Sequence, residues 1–150
     1  MFSGTYEHTI DAKGRTSLPV KLREQLAQAG EASIVLTRDA HSACIAAWPR
    51  SAWKKVEEKI ATFSPMNRVQ QANLLRFYSA QHEVELDVHG RVLVPPALRQ
   101  HGGLQKDVVW VGMVHTIQLW DKARYEAEMS KQLAPDEVID LFAGAFSTGA

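Results

Sequence analysis

The chain has 150 residues, 45% of them apolar, and its 17 basic and 17 acidic side chains cancel to a formal net charge of zero. That length suits one ordinary domain, or two small intertwined ones, with a core of useful size, and the composition excludes a disordered chain. No apolar run approaches the ~20 residues of a membrane helix, the opening MFSGTYEHTID is too polar for a signal peptide, and Cys44 has no second cysteine to bridge, which together favour the cytosol.

In chain order, His8 and Ile10, then Leu18 and Val20, alternate with polar residues, the period of a strand with one buried face. Between them lies Asp11-Ala12-Lys13-Gly14. Aspartate at the first position of a turn bonds its own backbone, and glycine at the fourth accepts positive φ, so DAKG reads as a hairpin turn or an elbow between strands. Pro19 suits the first helical position, Leu22 and Leu26 share a helix face, and Gly30 is a stop. SIVLT and CIAAW read as two further strands. A helix starting at Pro49 or Ser51 then sets Trp53, Val56, Ile60 and Phe63 on one face. Ser64 and Pro65 restart a helix that connects to about Tyr78.

The chain then repeats itself. At an offset of 76 residues, Ser3, Glu7, Asp11, Gly14, Arg15, Pro19, Leu22 and Arg23 return as Ser79, Glu83, Asp87, Gly90, Arg91, Pro95, Leu98 and Arg99. Val84, Leu86, Val88, Val92 and Val94 alternate as strands around the turn DVHG, and Pro95-Pro96 to Gly102-Gly103 brackets a helix. DVVWV and TIQLW follow as strands, with Ile117, Trp120 and Tyr125 matching Ile45, Trp48 and Trp53 at a slipped offset of 72. Asp121 caps a last helix with Tyr125, Met129 and Leu133 at i+4 spacing, and the closing AFSTGA frays. Two copies are too few for a solenoid and suit a pseudo-twofold pair sharing one core. The organisation expected is a first repeat over 3–50, a helical connector over 51–78, a second repeat over 79–123, and a helix and tail over 124–150.

A turn accounts for Asp11, Gly14, Asp87 and Gly90, but not for the arginines after the glycines. Each arginine can pair with its aspartate at i−4, which would hold the guanidinium in one orientation. Asp11, Lys13, Arg15, Lys21 and Arg23 sum to +3, while Asp136, Glu137 and Asp140 give the tail −3. Elsewhere the chemistry is bland. Asp39, His41 and Cys44, the pair His82 and His89, and His101 lack zinc-ligand spacing, so no metal site is expected and Cys44 reads as a small buried hydrophobe. No phosphate loop or nucleophile elbow is present. The tryptophans, Trp48 and Trp120 above all, read as core, and the helical glutamates as solvated faces.

Asp11-x-x-Gly14-Arg15 with Pro19, repeated as Asp87-x-x-Gly90-Arg91 with Pro95, resembles the paired DxxxR motif of the MraZ family, and each copy is similar to a SpoVT/AbrB-type swapped-hairpin domain. The resemblance spans nearly the whole chain, from MFSGTYEHTIDAKGR through LPVKLREQL to LDVHGRVLVPPALRQHGGL and LWD. It implies an α+β, mainly β fold, with two tandem swapped-hairpin repeats forming one pseudo-twofold, β-barrel-like core with flanking helices. It further implies a cytoplasmic, nucleoid-associated transcriptional regulator without a cofactor, membrane partner or small-molecule substrate. Such a protein would bind double-stranded DNA at repeated GTG-rich sites upstream of the division and cell-wall gene cluster and assemble into a ring-like homo-oligomer. Carried over, Arg15 and Arg91 contact DNA, and Asp11, Gly14, Asp87 and Gly90 shape the loops. Lys13, Lys21 and Arg23 are candidates for phosphate contacts, and His89 replaces Lys13 in the second copy. Imidazole carries less charge than ammonium at neutral pH, so the two heads are expected to contribute unequally. The competing readings are a DNA-binding antitoxin of the same fold, an enzyme, for which no nucleophile and base stand out, and a ring-forming scaffold, which leaves the matched arginines unexplained.

Overall fold

Proline sets the rhythm of the fold. The computed structural model describes residues 1–145, so AFSTGA lies, from Phe146 onward, outside the described residues. In it Pro19, Pro49 and Pro95 each end an extended stretch at φ near −55° and cap the helix that follows. Proline suits that place because its ring fixes φ and the N–H it lacks would be unpaired there anyway. The first copy runs β1 (Thr5–Thr9), β2 (Arg15–Ser17), α1 (Val20–Gln28), β3 (Ser33–Arg38), β4 (Ile45–Pro49) and α2 (Arg50–Ile60). The second runs β5 (His82–Glu85), β6 (Arg91–Leu93), α4 (Pro96–Gly102), β7 (Asp107–Gly112), β8 (Ile117–Asp121) and α5 (Lys122–Met129). Between them α3 (Arg68–Asn73) runs on into a π-helical turn over Leu74–Tyr78.

The copies interleave. One antiparallel sheet has the order β1-β7-β8-β4-β3-β5, which reads the same from either end once equivalent strands are exchanged. A two-stranded ribbon, β2·β6, lies on the pseudo-twofold, with Thr16 opposite Val92 at its centre. β1, β2, β5 and β6 therefore find their partners in the opposite copy. Ile34, Leu36, Ile45, Trp110, Ile117 and Leu119 from the sheet meet Leu18, Leu22, Leu26, Val92, Val94 and Leu98 from the ribbon and helices in one core. The sheet is open: β1 and β5 are its edges and do not pair with each other, so the barrel-like closure expected from the sequence is not seen among the described residues.

Several local expectations need correcting. Val20 is 58% exposed because it opens α1 rather than ending a strand, and Val88 is 95% exposed because it sits at an elbow tip. The connector helix starts after Asn67, whose side chain accepts the Gln70 N–H, and not at Pro65. Asp121 does cap α5 by accepting from the Arg124 N–H, but Met129 and Leu133 point to solvent, and only Tyr125 packs against Trp120. Trp48 is half-buried, whereas Trp53, Trp110 and Trp120 are core. Cys44 is fully buried beside Val109 and Trp120, and burial, reinforced by Asp39 and Glu128, pushes its thiol far above the ordinary range.

Two outcomes follow from this interleaving. Leu22→Ala empties a fully buried site and should cost about 2–5 kcal/mol in urea unfolding. Residues 1–76 alone lack the strands that pair with β1 and β2, so sedimentation and circular dichroism should find either an unfolded chain or a symmetric dimer. A folded monomer would contradict the interleaved architecture.

Candidate nucleic-acid interface

The two elbows are built alike. Asp11 accepts the Lys13 and Arg15 N–H groups on Oδ1, at 3.0 and 2.9 Å, and the Arg15 Nε–H on Oδ2 at 2.7 Å. Asp87 does the same for His89 (2.9 Å), Arg91 N–H (2.8 Å) and Arg91 Nε–H (2.8 Å). In each elbow the glycine N–H closes the turn onto its aspartate carbonyl at 3.0 Å. The carboxylates are held below the ordinary range, chiefly by the arginine's backbone N–H, with its side chain adding to the effect; Asp87 falls to about 2. These half-exposed pairs contribute little stability, as surface ion pairs generally do. Their effect is geometric. With Nε committed to the aspartate, the two terminal nitrogens of each guanidinium donate to no protein group among the described residues and remain a fork directed outward.

Each elbow is also clamped by the other copy. Leu18 N–H donates to the Gly90 carbonyl at 3.0 Å, and Val94 N–H to that of Gly14 at 2.8 Å. Arg23 Nε donates to the Leu18 carbonyl at 2.9 Å, and its guanidinium lies where a Cβ on Gly90 would be. Arg99 Nε donates to the Val94 carbonyl at 3.1 Å and guards Gly14 in the same way. Gly14 has φ +90°, and a Cβ there would stand 2.7 Å from Arg99 Nε and 2.9 Å from the Val94 carbonyl oxygen. Only glycine fits.

The ribbon then sets the spacing. Thr16 and Val92 face the core, so Arg15, Ser17, Arg91 and Leu93 face outward. Arg15 lies opposite Leu93 and Arg91 opposite Ser17, which makes the arginines diagonal neighbours, about 7–8 Å apart along the backbone and somewhat less at Cβ. Lys13 and His89 are exposed beside them on the elbow tips, and Lys21 is exposed on the first turn of α1. Arg23 is less free, since it is half-buried and tied to Leu18. Its charge, after burial, holds His8 toward the neutral form. Arg99, outside the candidate site residues expected from the sequence, matches Arg23 at the repeat offset, and that match is the signal that points to it. Among the described residues, no group of three or more His, Cys, Asp or Glu side chains could hold a metal ion, and no helix is long and apolar enough to cross a membrane.

Two outcomes test this geometry. Gly14→Ala should cost roughly 1–3 kcal/mol in denaturant unfolding, from the positive φ and the blocked contact. The Asp87 carboxyl carbon should titrate near pH 2 by NMR. Because its pKa is depressed on folding, its contribution to stability is complete above the ordinary value of ~3.9 and is lost as pH falls toward 2. In Arg91→Ala the midpoint should rise only part of the way to the ordinary value, because the backbone N–H of residue 91 still donates.

The chain is also similar to known proteins. A family model described as "MraZ protein, putative antitoxin-like" matches twice, over residues 1–76 and 77–140. A protein named Transcriptional regulator MraZ from Anaeromyxobacter dehalogenans is 55% identical over 142 residues, covering 95% of this chain and 99% of that protein. Proteins of the same name from Shewanella denitrificans and Lactobacillus delbrueckii are each 42% identical, over 86% and 84% of this chain and 85% of each relative. On a family match spanning both copies and relatives aligned nearly end to end, the chain belongs to the MraZ family.

Proposed function

We propose that this chain is a sequence-specific DNA-binding regulator of transcription that reads promoter repeats through the two elbows on its β2·β6 ribbon. The observation that carries this reading is the outward pair of aspartate-braced arginines on one narrow ribbon. A two-stranded ribbon fits the major groove, and an arginine fork matches guanine O6 and N7 together, at about 1–3 kcal/mol of discrimination each. The ~7–8 Å diagonal is close to two base-pair steps of ~3.4 Å, the separation of the guanines in GTG. One ribbon is thus suited to both guanines of one site. We read the interleaved elbows as the swapped-hairpin arrangement, with Lys13, Lys21 and Arg23 toward phosphates and His89 as the weaker equivalent of Lys13.

A neutral chain with few phosphate contacts binds one site weakly. A ring-like homo-oligomer facing several repeats would gain about 10²–10⁴-fold through effective concentration. The repeats are those upstream of the division and cell-wall gene cluster, and the protein acts in the cytoplasm on the nucleoid.

Fluorescence anisotropy against the duplex upstream of the protein's own gene, with a scrambled duplex beside it, tests the proposal. Arg15→Ala and Arg91→Ala should each reduce the preference for the upstream duplex by roughly 10-fold or more, and the double variant should abolish it. Lys21→Ala should weaken binding to both duplexes alike and lower the salt slope by about 1. Equal binding to the two duplexes by the wild-type chain, or indifference to the arginines, would overturn it.

A further inference from the structure

The pseudo-twofold supplies an internal control for each side chain on the ribbon. Arg15 and Ser17 on β2, and Arg91 and Leu93 on β6, point away from the core. At the repeat offset of 76, Arg15 corresponds to Arg91 and Ser17 to Leu93. The first pair matches in chemistry and the second does not. Serine and leucine occupy the same backbone position, one in each copy, so neither the strand pairing nor the core calls for an apolar side chain there. Thr16 and Val92 fill the core beneath the ribbon, and Leu93 is left 55% exposed.

Its place on that face is particular. Leu93 stands directly across from Arg15, where neighbouring Cβ atoms are about 5 Å apart. It is also the next outward residue after Arg91, about 7 Å further along β6. It borders a shallow depression that also holds Lys13 of the first elbow. Leu93 therefore flanks both arginines on one side of the line that joins them, and Ser17 flanks them on the other. Val88 is the more exposed, at 95%, but it lies at the tip of the second elbow and outside the ribbon.

A ribbon with two identical strands accepts a site equally well in either direction. GTG has a direction, since its other strand reads CAC. The distinction must come from residues by which the copies differ, and beside both arginines those are Leu93 and Ser17. In the major groove the middle base pair of GTG shows a thymine C5 methyl group, which apolar side chains read by contact. A serine hydroxyl offers no such surface.

We propose that Leu93 is a specificity-determining residue of the ribbon, packing on the C5 methyl group of the thymine that lies between the two guanines. This inference rests on the proposed function and adds to it the base that the arginines do not read.

The test is fluorescence anisotropy with the full-length chain and three duplexes. One carries a single GTG site, one has deoxyuridine in place of its central thymine, and one is scrambled. Deoxyuridine removes the methyl group and leaves the base pairing intact. Wild type should bind the deoxyuridine duplex about fourfold more weakly than the thymine duplex, the worth of one methyl group taken out of water. Leu93→Ser makes the two strands alike at this position. It should bind the thymine duplex about as weakly as wild type binds the deoxyuridine one, and should no longer distinguish the two. Leu93→Met, still apolar, should retain the distinction, as should Val88→Ala. Circular dichroism should show all three variants folded, since both positions are exposed. A wild type that prefers GTG to the scrambled duplex but ignores the methyl group overturns the inference and leaves the proposed function standing. Discrimination that survives in Leu93→Ser, or vanishes in Val88→Ala, also overturns it. A wild type that binds all three duplexes alike overturns the proposed function and the inference together.

Discussion

Two backbone hydrogen bonds across the pseudo-twofold hold the rest in place: Leu18 N–H to the Gly90 carbonyl and Val94 N–H to the Gly14 carbonyl. They join the end of each copy's ribbon strand to the other copy's elbow. Neither elbow can reposition without disturbing the opposite β-to-α junction. Arg23 and Arg99 close over the same glycines, so the space that a side chain would need is already filled. A loop that would otherwise be a mobile tip is fixed by long-range contacts, and the arginine that follows it inherits that rigidity.

The duplication also explains why the charge is placed as it is. The net charge of zero hides one outward ribbon face carrying two guanidinium forks, with aspartates that orient them. Backbone N–H groups hold each carboxylate in its ionised form, so the brace persists at any physiological pH. The elbows are equivalent in backbone and unequal in side chains: Ala12 and Lys13 face Val88 and His89. That difference lies at exposed tips, where it alters the surface offered to a partner without disturbing the core.

Much of this was legible in the sequence, for identifiable reasons. Asp-x-x-Gly-Arg declares both the turn and the residue the turn does not need, and the proline that follows declares the helix. What a period of two cannot declare is which strand pairs with which. Alternation showed that β1 and β2 each have a buried face, but their partners β7 and β6 follow from the topology alone. The same blindness misplaced Val20 and Val88, whose apolar character fits a strand pattern although one opens a helix and the other tips an elbow. Met129 and Leu133 share a helical spacing with Tyr125, yet α5 reaches the sheet only through its first turns. Arg99 is visible in the sequence as the repeat of Arg23, but its role is not, because it clamps a glycine of the other copy, a contact that no local motif records.

The central claim is that both elbows form a single reading face. Its most direct measurement is the ¹H–¹⁵N spectrum of the arginine Nε–H groups while a duplex with one GTG site is added. The account expects the Arg15 and Arg91 signals to shift together, with one affinity and one duplex per chain, while both Nε–H groups stay bonded to their aspartates. Signals that stay still while other surface groups respond, or that saturate at different duplex ratios, would contradict it.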